Sequence, residues 1–144
     1  MKLTAKTLVL GLILMGGIAY GATATDPDAK ARQEVMDANG AAAKTLGEMA
    51  SGKVAFDAKA AAAAKQSLID DSAKIPVVFK AQSTDPASKA KSEIWTAWDD
   101  FTAKAKDLGT AATAMDATSL DGVKAGMDAL GGACKACHTA YKAS

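Results

Sequence analysis

The chain has 144 residues, of which 49% are hydrophobic and only 5% aromatic, and this length suits a single domain. Alanine is abundant and strand-forming residues are sparse, which favours an all-α fold. The formal net charge is +1, and a nearly neutral chain offers no electrostatic basis for binding nucleic acid or an anionic membrane.

Residues 1–24 have the layout of a secretory signal peptide, which we expect to be cleaved. Lys2 and Lys6 precede an apolar run, and two small-residue cleavage sites follow it, at Ala19-Tyr20-Gly21 and at Ala22-Thr23-Ala24. The run is short for a transmembrane helix, and an uncleaved anchor is the alternative. Cleavage removes two lysines and no acid, so the net charge falls from +1 to −1. We expect the exported chain to have no stable membrane association.

Four helices are predicted in the mature domain, residues 25–144, from apolar residues that recur every three or four positions. The first helix starts at Asp26-Pro27, where an N-cap residue precedes proline, and ends near Gly52. Its predicted buried face consists of Val35, Asn39, Ala42, Leu46 and Met49.

The second helix is expected from Asp57 to about Ser72, with Pro76 as the residue that ends it. A connection over residues 74–90 follows. The apolar residues Val77 to Phe79 within it are expected to fold back onto the helices or to help cover a cofactor.

The third and fourth helices have the clearest patterns. The third is expected to end at Gly109, and the fourth to begin after Thr118 or Ser119. The buried face of the third is predicted to be Ile94, Trp98, Phe101, Ala105 and Leu108. The buried seam of the fourth is predicted to be Leu120, Val123, Met127, Leu130, Cys134, Cys137 and Tyr141. Four such helices with mostly short links predict an antiparallel four-helix bundle, with any group attached to the cysteines entering its core.

Both cysteines and the single histidine lie between Cys134 and His138, in the C-x-x-C-H pattern of c-type haem attachment. On a helix, Cys134 and Cys137 share one face, so their thiols can form two thioethers to one edge of a porphyrin. His138 follows Cys134 by four residues, and its imidazole can bind the iron. The predicted cofactor is one covalently attached haem c.

Other uses of this pentapeptide are weaker. A zinc site needs a fourth ligand, and the chain has no third cysteine and no second histidine. A thioredoxin-like thiol pair is expected beside a strand, and no strand pattern precedes the motif. A disulfide between helical residues three apart has poor geometry. A chance match is the plainest alternative.

The second axial ligand decides the function, because an open position allows small molecules to bind, whereas methionine favours electron transfer. The mature chain has four methionines: Met36, Met49, Met115 and Met127. Met127 lies about 16 Å from His138 along the same helix and cannot reach the iron. Met115 lies in a linker, and Met49 fits the core. Met36 lies near the start of the first helix, which runs antiparallel to the fourth in such a bundle. Its start therefore lies beside the end of the fourth helix, where His138 is, and the spacing alone leaves open whether Met36 is the ligand.

Several stretches resemble a known family, the class II cytochromes c or cytochromes c-prime. They are Arg32-Gln33, the turn from Gly52 to Phe56-Asp57, Ser92-Glu93-Ile94-Trp95, and Gly131 to Tyr141 around the motif. The similarity extends over about Lys30 to Lys142. It implies a four-helix bundle with haem bound near the C-terminus.

The family divides at the residue three places after the Arg-Gln pair, which is apolar in five-coordinate members and methionine in the c-556 type. Here that residue is Met36, so the resemblance implies six-coordinate, low-spin iron bound by His138 and Met36. It also implies that Arg32 lies near a haem propionate.

We therefore expect a periplasmic mono-haem electron carrier, not an enzyme, that exchanges electrons with redox partner proteins and binds no nucleic acid. One alternative is a five-coordinate cytochrome c-prime that binds NO or CO, with Met36 packed but unbound. Another is a haem-free helical module that uses Cys134 and Cys137 as a thiol pair. Alanine-rich helix faces leave open whether the chain forms a homodimer.

Overall fold

The computed structural model describes residues 22–144. Its helices are α1 (Pro27–Ala50), α2 (Ala58–Val78), α3 (Glu93–Thr96), α4 (Trp98–Ala114) and α5 (Leu120–Tyr141). Most of the predicted signal peptide, residues 1–21, lies outside the described residues. Within the described part of the chain, no helix is both long and apolar enough to cross a membrane.

The four long helices form the predicted antiparallel bundle. α1 packs against α2 and α5, and α4 packs against the same two helices. The predicted third helix is split, because the backbone at Ala97 leaves helical geometry between α3 and α4. The most completely buried large side chains are Phe101, Leu46, Leu68, Ile94, Leu130 and Val123, and they come from every helix of the bundle.

The predicted buried faces of the first and third helices are confirmed, except that Trp98 is only half-buried. The predicted N-caps Asp26 and Ser119 are confirmed as well, and Asp57, which was predicted only as the start of the second helix, is also an N-cap. The Asp26 carboxylate accepts a hydrogen bond from the N–H of Ala29 at 2.9 Å, and the Asp57 carboxylate caps α2 in the same way. Ser119 caps α5. Each cap satisfies an amide that has no partner within its helix, which is why the helices begin at these residues.

Two predicted helix ends are wrong. Pro76 does not end α2, which continues to Val78. Proline removes one backbone hydrogen bond of the helix, and this loss is tolerated because Pro76 lies in the last turn. Gly109 does not end α4, which continues to Ala114. A Cβ atom at Gly109 would lie 2.4 Å from Oγ of Ser72, so glycine lets α2 and α4 approach closely here, and a larger residue would displace the Ser72 hydroxyl.

One end of the bundle brings together the start of α1, the loop after α2 and the end of α5. The backbone N–H groups of Thr25 and Asp26 donate to the Asp85 carboxylate at 2.7 and 2.9 Å. The N–H of Lys91 donates to the carbonyl of Tyr141 at 2.9 Å. The long connection therefore covers the same end of the bundle as the C-x-x-C-H motif.

Candidate functional site

The C-x-x-C-H motif occupies the last turns of α5. Cys134 and Cys137 are half-buried, are not joined to each other and pack against the core, whereas His138 is exposed. Cys137 follows Leu130 by one heptad and points in nearly the same direction, yet Leu130 is only 1% exposed. Both cysteines lie on the predicted seam, but they are only half-buried because the protein covers the seam of α5 less completely at their level.

The environment keeps the motif side chains uncharged at neutral pH. Partial burial raises the pKa of the Cys134 thiol, and it also raises the pKa of Cys137, where the nearby charge of Lys104 offsets part of the effect. Neighbouring atoms that partly desolvate the His138 ring lower the pKa of the imidazole, and the charge of Lys142 adds to this. A neutral imidazole is the form that binds a metal ion.

Tyr141 fixes the end of α5 one turn after the histidine. Its hydroxyl donates a short hydrogen bond to the Asp100 carboxylate, and its ring meets the ring of Phe101 edge to face, with centroids 5.3 Å apart. The hydrogen bond to Asp100, together with burial, raises the pKa of Tyr141 to about 12. These contacts tie the helix that carries the motif to α4.

A contact between α1 and α5 sets the level of Met36. A Cβ atom at Gly47 would lie 3.6 Å from Cε of Met127, so these residues meet across the α1–α5 interface. Residues eleven apart on a helix point in nearly the same direction, because eleven residues complete about three turns. Met36 precedes Gly47 by eleven residues, and His138 follows Met127 by eleven. Since the two helices are antiparallel, Met36 and His138 lie at about the same level along the α1–α5 pair.

The other methionines of residues 22–144 are placed elsewhere. Met49 and Met115 are core residues, 4% and 2% exposed. Met127 lies against Gly47, about three helical turns before His138. Met36 is half-buried and packs against the core from its edge. Among the four methionines of the mature chain, Met36 is the one at about the level of His138, as expected from the sequence for a second ligand.

Arg32 is a buried cation one turn before Met36. It is 3% exposed, and its Nε donates to the carbonyl of Asp28 at 3.2 Å. Its Nη1 and Nη2 are buried and have no hydrogen-bond partner. Burial lowers the pKa of the guanidinium, although nearby Asp26 and Asp28 counteract this. A buried cation with two unpaired donor atoms is costly, and an anionic partner would relieve that cost.

Asn39 lies one turn after Met36, and sequence reasoning assigned it only to the core. Its Nδ2 donates to the carbonyl of Val35 at 3.1 Å, whereas its buried Oδ1 has no partner. Within residues 22–144, Arg32 and Asn39 carry the buried side-chain polar atoms that lack a partner. The two residues flank Met36 on one face of α1. The sequence signal for a buried, unpartnered polar group at this position was an asparagine within an otherwise apolar stripe.

These groups match the chemistry of haem c. Two half-buried thiols lie one helical turn apart beside a neutral imidazole, a methionine lies at the level of the imidazole on the facing helix, and a buried arginine offers unpaired donors for a carboxylate. No cluster of three or more His, Cys, Asp or Glu side chains in the described part of the chain is arranged to hold a metal ion directly.

The family model described as Cytochrome C' matches residues 28–142. The chain belongs to the cytochrome c-prime family. It is 32% identical to a cytochrome c-556 of Agrobacterium fabrum, over 99% of this chain and 98% of that protein. It is 33% identical to a cytochrome c' of Rhodopseudomonas palustris, again over 99% of this chain and 98% of that protein.

Solved structures agree with this family. The structure of cytochrome c' from Rhodopseudomonas palustris matches with a TM-score of 0.71 at 28% identity, over 83% of this chain and 98% of that chain. The protein is therefore a mono-haem class II cytochrome c with covalently attached haem c. Relatives named cytochrome c-556 and cytochrome c' are similar to this cytochrome to nearly the same extent, so the similarity does not distinguish an electron carrier from a gas binder.

Proposed function

We propose that this cytochrome is an electron carrier of the bacterial periplasm in which His138 and Met36 are the two axial ligands of the haem iron. The observation that carries the proposal is the register of α1 against α5. The Gly47–Met127 contact brings Met36 to the level of His138 on the facing helix. A thioether there is suited to iron, and this pairing of ligands favours electron transfer.

The remaining residues of the site act on binding and charge. Cys134 and Cys137 attach the haem through two thioethers, which require their half-buried thiols to lie on one face of α5. Arg32 pairs with a propionate carboxylate through Nη1 and Nη2, the atoms that lack a partner within the protein. The bound haem supplies the one-electron couple of its iron, and the protein sets the potential through ligands and burial.

Absorption spectra of the purified holoprotein test the ligands. Low-spin spectra in both oxidation states, with carbon monoxide binding only slowly to the ferrous protein, are expected if Met36 is bound. A high-spin ferric spectrum with unhindered carbon monoxide binding would contradict the proposal and would assign the protein to the five-coordinate, gas-binding type. Mass spectrometry of the same sample tests covalent attachment, because an unmodified polypeptide mass would leave Cys134 and Cys137 as free thiols.

Localisation and partners follow from the proposed role. Export by the predicted signal peptide brings the chain to the compartment in which haem c is attached, and that compartment also oxidises thiols. The carrier then exchanges electrons with redox partner proteins. N-terminal sequencing of the periplasmic fraction tests the export, and recovery of an uncleaved chain in the membrane fraction would contradict it.

A further inference from the structure

Two aromatic rings enclose the guanidinium of Arg32. Its Cζ atom lies 5.5 Å from the centroid of the Phe79 ring and 5.4 Å from the centroid of the Trp95 ring. Both distances are within the range in which a cation is attracted by the face of an aromatic ring. Arg32 is therefore held by rings from the long connection and from α3, which are remote from it in sequence.

The two rings are fixed to each other and to the core. The indole Nε1 of Trp95 donates to the carbonyl of Phe79 at 2.8 Å. The Phe79 ring packs against Phe101, with centroids 5.2 Å apart, and Phe79 is buried. Ile94, next to Trp95, is 1% exposed. The rings thus belong to a rigid part of the fold.

This arrangement leaves the two terminal nitrogen atoms of the guanidinium without a partner in the protein. Nε is bonded to the carbonyl of Asp28, whereas Nη1 and Nη2 are buried without a partner. The carboxylates nearest in sequence do not pair with Arg32: Asp26 caps α1, and none of the ion pairs among residues 22–144 includes Arg32. The planar pair of Nη atoms has the geometry that recognises a carboxylate.

We infer that Phe79 and Trp95 are positioning residues that orient Arg32 for ion pairing with a propionate of the bound haem. This inference rests on the proposed role of Arg32. A cation fixed beside a propionate offsets the negative charge that this carboxylate exerts on the iron. It also disfavours the additional positive charge of ferric iron, so it raises the reduction potential. The rings act only through Arg32, and removing them should therefore have no effect when Arg32 is absent.

The test is a double-mutant cycle on the holoprotein with Arg32→Gln, Trp95→Leu and the combined variant. We expect Trp95→Leu to lower the reduction potential by at least half of the shift caused by Arg32→Gln. In the Arg32→Gln background, Trp95→Leu should produce no further shift. The matched control is Trp98→Leu, because Trp98 is also half-buried and packs against Phe101 but is not one of the rings beside Arg32. The control should leave the potential near the wild-type value.

A second measurement does not depend on the potential. Arg32 is the only arginine of the chain, so its side-chain N–H signals in a nitrogen-15 NMR spectrum of the ferrous protein need no assignment. The wild type should show a slowly exchanging Nε–H and inequivalent Nη groups. Trp95→Leu should speed that exchange, whereas Trp98→Leu should not.

Each outcome decides between the alternatives. Equal potential shifts for Trp95→Leu and Trp98→Leu, additive shifts for Arg32→Gln and Trp95→Leu, or a rapidly exchanging Nε–H in the wild type would each overturn the inference. If Trp95→Leu does not fold, the wild-type NMR signals and the Trp95→Phe variant, which keeps an aromatic face, still test it. A five-coordinate absorption spectrum would contradict the proposed axial ligands but not this coupling, so the two failures are distinguishable.

Discussion

Gly47 of α1 lies against Met127 of α5, close enough that a Cβ atom added to the glycine would be 3.6 Å from Cε of the methionine. The contact is unremarkable as packing, but it sets the register between the first and last helices. Eleven residues further along each helix, in opposite directions, lie Met36 and His138. The proposed axial ligands are therefore positioned by the interface that also holds the bundle together.

Replacing Met36 with alanine should convert the iron from six-coordinate to five-coordinate. The thioether is the proposed second ligand, and its loss should lower the reduction potential, give a high-spin ferric spectrum and speed carbon monoxide binding. Absorption spectroscopy and potentiometry measure these changes. Unchanged spectra in Met36→Ala would show that Met36 is not bound to the iron.

Met49→Ala is the matched control for this experiment, since Met49 lies on the same helix but is 4% exposed in the core. Truncating it leaves a cavity and should reduce the free energy of unfolding by about 3 kcal/mol. Chemical denaturation measures this loss. The absorption spectrum should remain that of the wild type, and a change in spin state would contradict a purely structural role.

The parts of the fold that depend on local patterns were predictable from the sequence. Helix starts at Asp26 and Asp57 follow from capping chemistry within a few residues, and the stripe from Val35 to Met49 follows from helical periodicity. The ends of α2 at Val78 and of α4 at Ala114 were not predictable, and the predicted ends at Pro76 and Gly109 were wrong. Whether a glycine ends a helix or allows two helices to meet depends on what lies opposite, and only the fold places Ser72 there.

The candidate site shows the same division. Cys134, Cys137 and His138 were predictable because their chemistry depends on spacing within one helix. The spacing alone did not decide whether Met36 is the second ligand, because that role depends on the register of two helices that are distant in sequence. The rings of Phe79 and Trp95 around Arg32 come from the connection and from α3, and no local pattern in the sequence predicts that they enclose one cation.

The close approach of α2 and α4 predicts coupling between Gly109 and Ser72. Alanine at position 109 gains about 1 kcal/mol of helix propensity, but its Cβ would displace Ser72 Oγ, which donates to the carbonyl of Ile69 at 2.7 Å. Overpacking of this kind costs about 1–3 kcal/mol, so Gly109→Ala should be neutral or destabilising in thermal unfolding. In the Ser72→Ala background the same change should become stabilising. Equal effects in both backgrounds would contradict the close contact.

The hydrogen bond from Tyr141 to Asp100 predicts a loss of stability in alkali. The pKa of Tyr141 in the folded protein, about 12, lies above the usual value for tyrosine, so the folded state holds this proton more tightly than the unfolded state. The contribution is complete below about pH 10 and is lost as the pH rises through about 12. Between about pH 10 and 12, the free energy of unfolding should fall more steeply for the wild type than for Tyr141→Phe. Parallel curves would contradict the pKa shift.

The carboxylate of Asp85 is expected to make the protein lose stability in acid rather than in alkali. Its carboxylate accepts hydrogen bonds from the backbone N–H groups of Asp26, Ala87 and Thr25, which lower the pKa of Asp85 to about 2. The folded state therefore favours the ionised form. This stabilisation is present above about pH 4 and is lost as the pH falls through about 2.

Asp85→Asn should flatten the loss of stability between these pH values, because an amide does not titrate; its single oxygen can still accept from the N–H groups of Thr25 and Asp26, whereas the bond from Ala87 to the second oxygen is lost. Asp85→Ala should destabilise the protein at neutral pH as well, since the start of α1 loses its attachment to the connection after α2. Denaturation curves of the three proteins at a series of pH values separate the charge from the hydrogen bonds. An acid transition in Asp85→Asn as steep as that of the wild type would show that other carboxylates control it.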